Sequence, residues 1–124
     1  MITGIGTDIA EVDRIARALE TYGEQFEQKV FTAEEIAYCR STPRRAAERF
    51  AARFAAKEAF AKALGTGIAR GVYWRDIGVR RKPGQRPYIE LQGHAATLCA
   101  GMRIHLSLTH SGNTAMATVV LERE

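Results

Sequence analysis

The chain has little cysteine, few aromatic residues among its basic clusters and no long apolar run, and each shortage removes a class of protein. Its two cysteines, Cys39 and Cys99, are too few and too isolated for a disulfide framework or a zinc centre, which leaves two reduced, mostly buried thiols. No apolar stretch approaches the ~20 residues of a membrane-spanning helix. Residues Met1-Ile2-Thr3-Gly4 lack the basic and apolar regions of a secretory signal, so a cytoplasmic location is expected. Aromatic residues interleave little with the basic clusters, which argues against a stacking platform for single-stranded nucleic acid.

What is present suits one folded domain spanning residues 1–124. Hydrophobic residues at 46% and charged residues at 26% rule out a disordered chain. The net charge of +4 favours an anionic partner, with nucleic acid, a phosphorylated cofactor and an acidic protein all open. The charge is also unevenly spread. Arg44, Arg45, Arg49, Arg53 and Lys57 gather at the start of one long helix, and Arg80-Arg81-Lys82 sit beside a turn.

Periodicity predicts the elements. Ile2 to Ile9 reads as a strand ending near Asp8, followed by a helix on which Val12, Ile15, Leu19 and Tyr22 recur at helical spacing. Thr32 with Glu35 forms a capping-box pattern that opens a short helix to about Cys39. The longest helix begins near Pro43 or Arg44 and ends at Leu64 before Gly65, with Ala46, Phe50, Phe54, Ala61 and Leu64 as its core face. Strands are expected over Trp74 to Arg80, Tyr88 to Gln92, Ile104 to Thr109 and Thr114 to Leu121, with a short helix over His94 to Ala100. The fold class is therefore α+β, helices packed on a mostly antiparallel sheet.

Chemistry could sit in four places. Gly4-Ile5-Gly6-Thr7-Asp8 ends a strand on a carboxylate. The plainer reading leads there: the glycines relieve packing and Asp8 starts the next turn. On the long helix Glu58 lies at the shoulder of the apolar face with Lys62 four residues on, a spacing that also suits a simple helix-stabilising pair. Lys57, near the middle of the apolar face, requires either a snorkelling stem or a buried acid. Gly65-Thr66-Gly67 could present backbone N–H groups to an anion, although helices often end in glycine and the P-loop spacing is absent. On the strand Arg103 to His110, His105, Ser107 and Thr109 share the face opposite Ile104, Leu106 and Leu108.

Taken together, Gly4-Ile5-Gly6-Thr7-Asp8-Ile9, Arg53-Phe54-Ala55-Ala56-Lys57-Glu58-Ala59 with Lys62, Gly65-Thr66-Gly67, Trp74-Arg75-Asp76-Ile77 and His105-Leu106-Ser107-Leu108-Thr109-His110 run in order along nearly the whole chain. The chain resembles the holo-acyl-carrier-protein synthases, the small bacterial branch of the phosphopantetheinyl transferases. The resemblance implies transfer of the phosphopantetheine arm of coenzyme A to a serine of an acyl carrier protein. It implies Mg2+ held by Asp8 and Glu58, with Lys62 near the phosphates. Arg45, Arg53, Gly65, Pro87, His105 and His110 fall among the coenzyme A-binding positions, and Arg14 matches a carrier-docking arginine. The general base stays open between Glu58 and His110. Some relatives carry an acid directly after the last histidine, where this chain has Ser111. The resemblance also implies a homotrimer with sites between subunits, and no nucleic-acid or membrane partner. Two rival readings are another Mg-dependent phosphoryl-transfer or nucleotide-hydrolysing domain and a small nucleic-acid-binding domain.

Overall fold

A computed structural model describes all 124 residues. Strands β1 (Ile2–Glu11), β4 (Met102–Ser111) and β5 (Thr114–Arg123) form a three-stranded sheet with β5 in the centre, antiparallel to both neighbours. Val120 lies between Ile5 and His105 in this register, and Met116 between Ile9 and Thr109. Strands β2 (Ile77–Arg80) and β3 (Tyr88–Leu91) make a separate antiparallel ribbon. The expected antiparallel α+β architecture is present, divided between two sheets.

Helix α4 (Ala46–Leu64) packs across the larger sheet. Around it lie α1 (Val12–Tyr22), α2 (Glu24–Val30), α3 (Ala33–Arg40) and the short α5 (Gly93–Leu98). The predicted core face of α4 is only part of the story. Phe50 and Ala61 are fully buried as expected, whereas Ala46, Phe54 and Leu64 are half-buried. Ala51, Ala55, Ala56, Ala59 and Phe60 are also buried, so α4 is enclosed on most of its circumference. Small alanines permit this, because they let neighbouring backbones approach from several directions. Two further corrections concern boundaries. The sequence pattern gave no signal for α2, and residues Trp74–Asp76 form a 3-10 turn that delays the start of β2 to Ile77.

The predicted capping box at α3 is present. Thr32 Oγ1 accepts from the Glu35 N–H at 3.1 Å, and Glu35 Oε1 accepts from the Thr32 N–H at 2.8 Å. Glu35 does more than cap. It is buried, its Oε2 accepts from the Val79 N–H at 2.8 Å, and its Oε1 pairs with Lys57 Nζ at 2.8 Å. Lys57 also donates to the carbonyls of Trp74 at 3.0 Å and Ile77 at 2.6 Å. The ammonium thus has three partners for three N–H bonds, tying α4 to α3 and to the start of β2. A buried acid, not a snorkelling stem, explains Lys57. Burial pushes its ammonium below the ordinary lysine range, with Glu35 opposing the shift.

Candidate active site

β1 approaches α4 closely because Gly4 and Gly6 have no side chains. A Cβ at Gly4 would lie 2.0 Å from the Ala63 carbonyl oxygen, and one at Gly6 would lie 2.1 Å from that of Ala59. Gly4, Gly6 and Asp8 lie on the same face of β1, since strand side chains alternate. The glycines therefore seat the strand against α4, and the next helix-facing residue, Asp8, arrives beside Glu58 and Lys62. The glycines do relieve packing, as the plainer reading held, but Asp8 does not start a turn: it lies inside β1, opposite Ala117, and the strand runs on to Glu11. The contact they permit also brings Asp8 to the helix.

Lys62 Nζ donates to Asp8 Oδ1 at 2.8 Å and to the Thr7 carbonyl at 3.2 Å. The bond to Asp8 and its charge raise the Lys62 ammonium above its ordinary range. Partial burial, then the Asp8 charge, pushes the Glu58 carboxyl above the usual carboxylate range, and Lys62 only partly offsets this. Asp8 and Glu58 thus bring two carboxyl groups to one edge of the helix, with the Lys62 ammonium on Asp8. No third carboxylate, histidine or cysteine joins them. This donor set fits Mg2+, which takes one or two carboxylates and fills its remaining positions with water and phosphate oxygens.

A second cluster lies around the N-terminal half of α4. A cavity of about 450 Å³ is lined by Arg45, Arg49, Arg53, Arg81 and Arg86 against a single carboxylate, Glu48. Glu48 is shared by Arg45 at 3.4 Å and His110 at 3.2 Å. None of the other four arginines has a carboxylate partner. Arg53 is only 4% exposed, and its Nε has no hydrogen-bond partner. A buried guanidinium without an acid is costly unless an anion completes it, and with one carboxylate against five arginines the lining suits an anionic ligand.

Of the expected site residues, Asp8, Glu58 and Lys62 come together, and Arg45, Arg53, Pro87 and His110 line the arginine cavity. Gly65 ends α4 in the left-handed region at φ 89°, a helix-stop role. His105 is exposed outside the cavity lining and meets Glu122 on the neighbouring strand at 2.9 Å, a bond that lowers the Glu122 carboxyl. Arg14 is exposed on α1, at the rim of a groove lined by Ile9, Ile15, Phe26 and Phe54. Sequence reasoning did not assign Arg49, Arg81, Arg86 or Tyr38 to the site. Arg49 and Arg81 stood within the noted basic clusters, but only folding brings the two clusters to one cavity.

The two clusters project from opposite sides of α4. With 3.6 residues per turn, Glu58 lies about 180° around the helix from Arg49 and roughly 140° from Arg53. The carboxylates sit toward β1, at one edge of the sheet, and the arginines toward β4, at the other.

The 4'-phosphopantetheinyl transferase superfamily matches residues 4–119. The chain is 49% identical over 125 residues to the holo-[acyl-carrier-protein] synthase of Koribacter versatilis, covering 98% of this chain and 99% of the relative. It is 48% identical to that of Hyphomonas neptunium, covering 98% and 94%. The crystal structure of the Neisseria meningitidis holo-[acyl-carrier-protein] synthase superimposes with a TM-score of 0.90 at 36% identity, over 99% of this chain and 100% of that one. The Bacillus anthracis synthase in complex with CoA (3',5'-ADP) gives 0.85 at 38% identity, over 100% and 99%. Sequence, fold and full-length coverage agree that the chain belongs to the 4'-phosphopantetheinyl transferase superfamily, in its holo-[acyl-carrier-protein] synthase branch.

Proposed function

We propose that this chain moves the 4'-phosphopantetheine group of coenzyme A onto a serine of apo-acyl carrier protein, giving holo-carrier and adenosine 3',5'-bisphosphate. The observation that carries the reading is the division of charge along α4, a cation-seeking carboxylate pair and an acid-poor arginine cavity. A substrate with a diphosphate and a further phosphate needs both.

In this reading Asp8 and Glu58 hold Mg2+, and Lys62 stands beside them. Bound there, Mg2+ would supply Lewis-acid stabilisation of charge building on the phosphoryl oxygens. Lys62 places a second positive charge at the same edge for the leaving diphosphate oxygen. The carrier serine Oγ forms the new bond to phosphorus, the bond to the adenosine bisphosphate oxygen breaks, and the serine proton passes to a base, for which Glu58 and His110 are the two candidates. Arg45, Arg53, Pro87 and His110, joined by Arg49, Arg81 and Arg86, hold the anionic nucleotide end. His105 and Gly65 complete the set at the family's coenzyme A positions. Arg14, exposed beside the apolar groove on α1, is the docking contact for an acidic carrier, and the net positive charge favours that encounter.

The two clusters leave α4 in opposite directions, which makes one ligand hard to share within a single copy. A site made between copies removes the difficulty. The outer face of the larger sheet supports this, with Ile5 67% exposed, Ile9 61% exposed and Met116 beside them on β5. In the homotrimer that the family resemblance implies, one copy would supply the carboxylates and its neighbour the arginines. All 124 residues act as one catalytic domain. No helix is long and apolar enough to cross a membrane, and a cytoplasmic location accords with coenzyme A as substrate.

Intact-protein mass spectrometry of an apo-carrier incubated with coenzyme A and Mg2+ tests the reaction. One phosphopantetheine should be added, and none with a chelator, with the carrier serine replaced, or with Asp8→Ala or Glu58→Ala folded as judged by circular dichroism. Transfer by either variant at the wild-type rate would remove the metal assignment. No transfer by folded wild type across several carriers would promote nucleotide hydrolysis instead. Mixing tests the assembly. At coenzyme A concentrations well below the raised KM of Arg53→Met, Glu58→Ala and Arg53→Met chains are inactive and weak alone and should regain activity when unfolded together and reassembled.

A further inference from the structure

The arginine cavity poses a problem that its own residues must solve before any ligand arrives. Arg49 and Arg53 are four residues apart on α4, so their side chains leave the same face one turn apart. Both are cationic and neither has a carboxylate to hold it. Two long, like-charged side chains in that position should splay apart. Instead both guanidinium carbons lie 4.4 Å from the centroid of one ring, that of Tyr38 on α3. This is well inside the ~6 Å reach of a cation–π contact.

The backbone of Tyr38 adds to the grip. Its carbonyl accepts from Arg49 Nη1 at 3.1 Å and from Ser41 Oγ at 2.6 Å, while Ser41 Oγ accepts from the same Arg49 nitrogen at 3.1 Å. Arg53 has only a 3.4 Å bond from Nη1 to the Arg49 carbonyl, and its Nε is unpartnered. The ring is thus the main contact that orients Arg53. Tyr38 lies in a helix fixed by the Thr32–Glu35 box and by the Glu35–Lys57 pair, so the ring is itself firmly placed.

We propose that Tyr38 is a positioning residue for anion binding, its ring holding the guanidinium groups of Arg49 and Arg53 in the cavity in advance of the ligand. The inference rests on the reading of the cavity as the coenzyme A site. An arginine side chain gives up considerable rotamer freedom when it is fixed, and the ring removes that cost from the binding step. The reacting phosphate belongs with Asp8, Glu58 and Lys62, so Tyr38 should act on substrate affinity and leave the chemical step alone.

Tyr38→Phe keeps the ring face and Tyr38→Leu removes it. Binding of 3',5'-ADP by calorimetry and steady-state transfer from coenzyme A should be measured on the full chain for both. Tyr38→Phe should bind within about twofold of wild type. Tyr38→Leu should bind 3',5'-ADP about tenfold more weakly and raise KM for coenzyme A by a similar factor, with kcat held within about twofold. Wild-type binding by Tyr38→Leu, or a loss in Tyr38→Phe equal to that in Tyr38→Leu, overturns the assignment. Failure of wild type itself to bind 3',5'-ADP overturns the coenzyme A reading along with it. An independent measurement needs no variant: 15N relaxation of the Arg53 Nε–H in ligand-free wild type. It should show a rigid group with a ring-shifted resonance, and a mobile, unshifted one would sink the proposal even if Tyr38→Leu does not fold.

Discussion

Lys57 and Arg53 are buried cations one turn apart on the same helix, and their surroundings could hardly differ more. Lys57 is fully enclosed, with Glu35 and two carbonyls filling its donors. Arg53 is nearly as enclosed, yet it has a ring, a long backbone bond and a free Nε. The first arrangement is finished by the chain and the second is left for something else to finish. A satisfied buried ion pair fixes how α4 meets α3 and β2. An unsatisfied buried guanidinium lining a cavity stores binding capacity at the expense of stability.

The largest break in this comparison should come from Lys57→Met. It strands the Glu35 carboxylate in the core, so stability should fall by about 3–5 kcal/mol, visible in urea or thermal unfolding. A loss under about 1 kcal/mol would mean the pair is dispensable. Adding Glu35→Gln to Lys57→Met removes the stranded charge and should recover a good part of that loss, as a double-mutant cycle would show. Arg53→Met sharpens the contrast. It deletes a cation that no acid compensates, so Tm should match or exceed that of wild type while KM for coenzyme A rises about tenfold. A variant that is both destabilised and normal in binding would make Arg53 a structural residue like Lys57.

The smallest effect belongs to the exposed pair at the other end of the helix. Lys62 and Asp8 lie near the surface, and Lys62→Ala should change stability by less than about 1 kcal/mol. Its consequence is chemical. Removing the ammonium from Asp8 frees a carboxylate oxygen, so Mn2+ measured by electron paramagnetic resonance should bind several-fold more tightly even as transfer slows, the direction that opposite charge at about 3 Å requires. Weaker Mn2+ binding would show that Lys62 supports the cation site instead of competing for it.

Much of the site was legible because the chemistry is written locally. Glu58 and Lys62 stand four apart on one helix, and Asp8 follows two glycines on a strand, so both halves of the carboxylate cluster had a sequence signal. Thr32 and Glu35 likewise announced the start of α3. The second duty of Glu35 was not legible, since its partner Lys57 lies 22 positions downstream and nothing in the spacing links them. Nor could spacing show that Arg49, Arg53, Arg81 and Arg86 share one cavity with Tyr38. Short α2 escaped because seven residues offer too few repeats for a periodic pattern.

By itself, the sequence determined the elements with clear periodicity, the α+β class, the stops at Gly65 and the α3 cap, and the family to which its motifs belong. These follow from local rules, in which a residue's neighbours along the chain fix its backbone and its face. Only the tertiary structure decided which charges would be satisfied and which left open. Gly4 and Gly6 bring β1 against α4 and so put Asp8 beside Glu58, while the turn of the helix sends the arginines the other way. Whether a buried charge is paired depends on groups distant in sequence and close in space, and that proximity exists only once the chain has folded.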